Sequence, residues 1–170
     1  MNNHIQQYIQ NGYQYVSNNA SAIGATVLVS QTGDRIVKFG QDSAYDVFVT
    51  HALHFPSSKF PVFYCHSKPA GAFNAASNKP YTVTEMERLD PLTQVEATTV
   101  MTWVRAVFAA WQNSTNISLV PDPYNLTSTL IQLRGVALAN LVGLDVLKPA
   151  NYMARISQCQ REIVFIDPLN

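Results

Sequence analysis

Cysteine is nearly absent from this chain. Only Cys65 and Cys159 occur in 170 residues, far apart, which excludes a disulfide framework and fits free thiols in a reducing cytosol. Charge is scarce as well: charged residues are 13% of the sequence, and eleven basic residues balance eleven acidic ones. With no net charge and no basic cluster, nucleic acid is not an expected partner. No apolar run reaches the length of a bilayer span, so no membrane partner is expected. The first residues are polar and rich in Asn and Gln, unlike a secretory signal, and a cytoplasmic location follows as the expectation. His51, His54 and His66 stand apart from any Cys or carboxylate at zinc-ligand spacing, so no zinc site is expected.

What is present is an ordinary apolar content with mixed periodicity, enough for one α+β domain with two small lobes at most. Residues 2–12 read as a short helix, with Ile5, Tyr8 and Ile9 on one face and Gly12 as its stop. Strand-like runs follow at 13–16, 25–30 and 34–39, the last two joined by the turn residues Gln31, Thr32 and Gly33. A helix is expected after Gln41, with Ala44, Tyr45, Phe48 and Ala52 inward. Further strands read at 60–65 and from Tyr81, separated by a mobile loop at 67–80 rich in small and turn residues. Thr93 and Glu96 form a capping-box pattern for a helix that runs to about Asn113. A second apolar helix spans 126–141, with Gly143 as its stop.

The last 26 residues organise the chemistry. Leu144-Asp145-Val146-Leu147-Lys148-Pro149-Ala150-Asn151 reads as a polar loop, followed by a strand, a turn and an apolar strand that delivers Asp167. A hairpin of that size brings Asn151 and Asp167 close together. Two oxygen ligands side by side suit a hard cation such as Mg²⁺, which keeps waters and binds phosphate.

Leu147-Lys148-Pro149-Ala150-Asn151 resembles the catalytic loop of protein kinases, and Ile166-Asp167-Pro168 resembles their metal-binding element. Asn151, Met153, Arg155, Asp167 and Pro168 fall in register with the short serine/threonine kinases of podovirus-type bacteriophages. Earlier stretches follow in the same order: Lys38 near the end of a strand, Ala44-Tyr45-Asp46-Val47-Phe48-Val49, and Glu87-Arg88-Leu89. The resemblance implies a minimal protein-kinase-like fold. An antiparallel-sheet lobe with one helix would span 1–89, and a reduced helical lobe 90–170. It implies ATP and Mg²⁺ as cofactors and transfer of phosphate to Ser/Thr of host proteins in the host cytoplasm. By the same resemblance, Lys38 binds the α- and β-phosphates and Gly24 lies in the loop covering them. The main chain of Glu85, Met86 and Glu87 reads adenine. Lys148 faces the γ-phosphate, Asp145 orients the acceptor hydroxyl, and Asn151 and Asp167 hold metal.

Two departures keep alternatives open. The family's catalytic Asp lies five positions before the Asn; that position is Val146 here, and Asp145 is six before Asn151. Either Asp145 reaches the site, or the base position is apolar and the chain is a pseudokinase that acts as a binding or inhibitor module. No Glu lies between Lys38 and Glu85 to hold the lysine, which leaves Asp42 or Asp46 as a substitute. Only Asn170 follows Leu169, so no activation loop or peptide platform is expected, and a small-molecule kinase with the same core is a third reading.

Overall fold

The structure is a computed structural model describing residues 3–16, 25–70, 80–158 and 160–170. Its elements in chain order are α1 (Asn3–Gln10), β1 (Gln14–Tyr15), β2 (Thr26–Val29), β3 (Arg35–Gly40), α2 (Ser43–His54), β4 (Phe63–Ser67), β5 (Thr82–Glu87), α3 (Gln94–Gln112), α4 (Thr127–Asn140), β6 (Tyr152–Ser157) and β7 (Gln160–Phe165). This is a mixed α+β protein. The chain divides into two compact units, one of Met1–Thr50 with Val62–Arg88, the other of His51–Pro61 with Leu89–Asn170.

The first unit is built on an antiparallel sheet in the order β1-β2-β3-β5-β4. The turn between β2 and β3 needs a left-handed residue, and Gly33 supplies it at φ 76°, with its N–H donating to Ser30 O at 2.9 Å. Side chains alternate across the sheet, so Val37 and Phe39 of β3 share one face with Leu28 of β2. These three are fully buried and cluster with Ile5, Tyr81 and Val83. Each such side chain contributes roughly 1.5–3 kcal/mol by leaving water. Tyr8 and Ile9 pack on the same cluster, which is why eight polar-rich residues hold as a helix. On the opposite face, Lys38, Thr84 and His66 stand in one row across β3, β5 and β4. Helix α2 turns Ala44, Tyr45 and Phe48 inward, and Phe48 meets Phe63 edge-on at 6.0 Å.

In the second unit, α3 starts as its sequence predicts. Thr93 Oγ1 accepts from Glu96 N at 3.2 Å, and Thr93 N donates to Glu96 Oε2 at 2.8 Å. Val100, Met101, Trp103, Val104 and Val107 make the buried stripe. Helix α4 buries Leu130, Leu133 and Ala137. Its first turn is capped from outside, since Asp122 Oδ2 accepts from Thr127 N at 2.7 Å while Leu126 offers no side-chain cap. The expected stop at Gly143 is corrected: Leu141 takes the left-handed conformation at φ 56° and bonds back to Ala137 and Leu138 carbonyls. Strands β6 and β7 form a hairpin in which Tyr152 faces Phe165 and Ser157 faces Gln160. Residues 58–60 are fastened to that hairpin. Arg155 donates to Ser58 O at 2.6 Å and Phe60 O at 2.8 Å, and Phe165 N donates to Lys59 O at 3.0 Å. Arg155, read from the motif as a family marker, is a structural clamp. Among the described residues, no helix is long and apolar enough to cross a membrane.

Candidate active site

The loop after α4 is fixed by main-chain bonds to residues 168–170. Leu144 bridges Leu169, Asn170 N donates to Gly143 O at 2.9 Å, and Asp145 N donates to Pro168 O at 2.7 Å. Gly143 is required there, since a Cβ would stand 2.8 Å from Asn170 O. Pairing of these two segments brings Asp145 and Asp167 into one neighbourhood although 22 positions separate them.

Asp145 is the hub. Its carbonyl accepts from Asn151 Nδ2, and its carboxylate Oδ2 meets Lys148 Nζ at 2.6 Å. Val146 turns the other way: it is fully buried, and its carbonyl accepts from Tyr152 Oη at 2.8 Å. The two candidate positions point in different directions. The carboxylate at 145, one position earlier than the motif places it, faces the lysine, while the apolar residue at 146 packs inward. Tyr152 was not singled out by motif. Burial pushes its phenol well above the ordinary value, so it stays a neutral donor to the loop.

Lys148 is the exposed member of the group. The hydrogen bond to Asp145 raises its pKa, and the charges of Asp145 and Asp167 add to the rise. Asn151 is buried, and its carbonyl accepts from Ile166 N at 2.9 Å, which ties the loop to the residue before Asp167. Asp167 keeps Oδ1 buried. The structure therefore gathers Asp145, Lys148, Asn151 and Asp167. Among the described residues no three His, Cys, Asp or Glu side chains come together to hold a metal. Asn151 Nδ2 is used on Asp145 O, so Oδ1 is the amide atom that could ligate a cation. One carboxylate and one amide oxygen suffice for Mg²⁺ when waters and substrate phosphate complete the octahedron.

In the sheet unit, Lys38 sits on β3 opposite Thr84. Its ammonium lies 3.4 Å from the centroid of the Tyr45 ring. The two carboxylates suggested for it are engaged elsewhere. Asp42 caps α2 by accepting from Ala44 N at 2.9 Å and Tyr45 N at 3.1 Å, and Asp46 pairs with Lys68 at 2.8 Å. Sequence reasoning placed Tyr45 inward but missed its ring as one contact of the lysine, because no local spacing signals a cation over a ring. Glu85, Met86 and Glu87 lie within β5, laddered to β3 on one side and β4 on the other. Their side chains are engaged too: Glu85 accepts from Tyr13 and Arg35, both at 3.1 Å, and Glu87 Oε1 accepts from Val62 N at 2.8 Å. Main chain so engaged leaves little for adenine to read. Gly24 and the loop at 17–24 expected to cover phosphate lie outside the described residues, as do most of the loop expected at 67–80 and Cys159.

No protein-family model matches the chain, and no curated protein matches it. Among solved structures it is similar to a microcompartment-associated aminopropanol kinase, at 13% identity and a TM-score of 0.44, over 97% of this chain and 68% of that one. A likeness of that size leaves the functional reading to the residues themselves.

Proposed function

We propose that the chain is a minimal ATP-dependent phosphotransferase of the protein-kinase type, with Ser/Thr hydroxyls of proteins as acceptors and host proteins of a bacteriophage as the targets. The observation that carries this reading is the cluster of Asp145, Lys148, Asn151 and Asp167, assembled in the order and with the residue types that phosphoryl transfer uses. Asp145 accepts the acceptor hydroxyl's hydrogen bond and takes its proton late in transfer. Lys148 moves from Asp145 to the γ-phosphate as the nucleotide arrives. Lys38 serves the α- and β-phosphates. Asn151 and Asp167 would hold Mg²⁺, which neutralises charge on the phosphates when bound. Glu85, Met86 and Glu87 keep their places in the sheet and have no part in this proposal beyond it.

The test is intact mass after incubation with ATP and Mg²⁺, alone and with casein, beside Asp167→Ala and Asp145→Ala. Added phosphate that disappears in both variants supports the reading. One observation favours the binding-module reading instead: the only carboxylate on the loop is already paired with Lys148. That reading gains if no phosphate is transferred while ATP with Mg²⁺ still raises the melting temperature.

A further inference from the structure

We propose that Tyr152 is a positioning residue for the Asp145 carboxylate, acting through the Val146 carbonyl. The inference deepens the reading of Asp145 as the group that takes the acceptor hydroxyl's proton, and rests on it.

Two neighbouring side chains close the loop. Asn151 Nδ2 donates to Asp145 O, and Tyr152 Oη donates to Val146 O at 2.8 Å, each reaching back six positions. These carbonyls belong to the two peptide planes that flank Val146, so both planes are held. The plane before Asp145 is held as well, since Asp145 N donates to Pro168 O at 2.7 Å. The bond from Tyr152 lies at the middle of the stretch between Asp145 and Lys148, and so fixes how these two meet at 2.6 Å.

The donor itself is fixed. Tyr152 is 2% exposed, pairs with Phe165 across the hairpin, and packs on its ring at 5.0 Å. Burial keeps the phenol protonated, so it remains a donor. Val146 is fully buried, and water does not replace a donor lost there. Without the hydroxyl, the Val146 carbonyl turns toward solvent, and the loop carries Asp145 away from Lys148.

The arrangement suits the proposed reaction. Lys148 leaves Asp145 for the γ-phosphate when the nucleotide arrives, so the ion pair cannot be what keeps the carboxylate in place during transfer. The bond to Val146 O persists through that exchange. Tyr152 touches neither substrate nor reacting atoms in this scheme.

The experiment measures phosphate transfer to casein, and the Lys148 pKa by NMR titration, on the full chain. Wild type and Asp145→Asn are compared with Tyr152→Phe and with para-fluorophenylalanine or para-aminophenylalanine at 152. The fluorine fills the hydroxyl's space without a donor, and the amine restores one. This pair carries the comparison if Tyr152→Phe does not fold. In Tyr152→Phe and the fluorinated variant, kcat should fall roughly tenfold while the KM for ATP holds. The Lys148 pKa should drop toward its ordinary value in both, a response that a merely space-filling ring would not give. The amine should restore both readouts. If Asp145→Asn loses transfer while the fluorinated variant keeps wild-type kcat and Lys148 pKa, Tyr152 only fills the core and the reading of Asp145 stands. A fall in kcat with no change in the Lys148 pKa also overturns the positioning role. If Asp145→Asn transfers phosphate as wild type does, or wild type transfers none, the reading of Asp145 falls and the role of Tyr152 falls with it.

Discussion

Lys38 and Lys148 are the two lysines proposed to meet phosphate, and their described contacts differ. Lys38 rises from a paired strand and rests on an aromatic face. Lys148 rises from a loop, is mostly exposed, and pairs with Asp145 at 2.6 Å. The contrast extends to their surroundings. The first unit is centred on rings and aliphatic side chains, with Tyr8 edge-on to Phe39 at 5.6 Å and Phe48 to Phe63. In the second unit the β6–β7 hairpin is fastened by polar groups: Arg155 on two carbonyls, Lys59 and Arg155 on Glu162, and Arg161 on Glu96. The Lys148 ammonium is offset by the Asp145 carboxylate until something more negative arrives.

The largest effect expected from breaking this contrast is Asp145→Asn, which frees Lys148 and removes the acceptor of the hydroxyl proton. Phosphate transfer should fall on the order of 10³-fold, and the Lys148 pKa should drop back toward its ordinary value, seen by NMR titration. An unchanged turnover would place the base elsewhere. Next is Gly143→Val, whose side chain collides with the Asn170 carbonyl. It should cost about 2–3 kcal/mol in urea denaturation and lower transfer as well, because Asp145 and Asp167 lose their shared anchor. Thr93→Ala should cost about 1 kcal/mol through loss of the α3 cap, with no change in Mg·ATP affinity.

Acid should separate the units without any mutation. The Arg161 hydrogen bond leads the causes that hold the Glu96 carboxyl at about 2, against an ordinary 4.5. Burial pushes Glu162 up, but hydrogen bonds from Lys59 and Ser58 outweigh it and hold it low. A carboxyl held low in the folded state stabilises fully above its ordinary pKa, and that stability drains as pH falls toward the folded value. Between about pH 4.5 and pH 2, amide protection in β6, β7 and the start of α3 should therefore fade before that in β2 and β3. Simultaneous loss would show that the polar fastenings contribute little.

Local features were legible in the sequence, and long-range ones were not. The Thr93/Glu96 box is a three-residue spacing whose partners are set by one turn of helix, and it formed as read. The apolar face of α1 and the Gly33 turn are likewise short-range patterns. The four site residues of the second unit lie within 23 positions, so their order could be read. Which of Asp145 and Val146 turns toward Lys148 could not, because the Pro168 carbonyl that fixes residue 145 comes from a distant segment. Gly143 was read as a helix stop for the same reason: its true constraint, the Asn170 carbonyl, is invisible from its neighbours. The grouping of residues 51–61 with the later chain depends on Arg155 and Phe165, about a hundred positions away.

The bridge between Leu144 and Leu169 has a kinetic consequence. The β6–β7 hairpin is a local contact and can close early, whereas the bridge gains its partners only once that hairpin has shortened the intervening chain. Bonds made after the rate-limiting step leave folding speed alone and govern the rate of escape from the native state. Weakening the bridge, as Gly143→Val does, should steepen neither limb of the chevron but raise its unfolding limb. The assembled cluster would then have a lifetime set by two short stretches of backbone rather than by the helices and sheet around it.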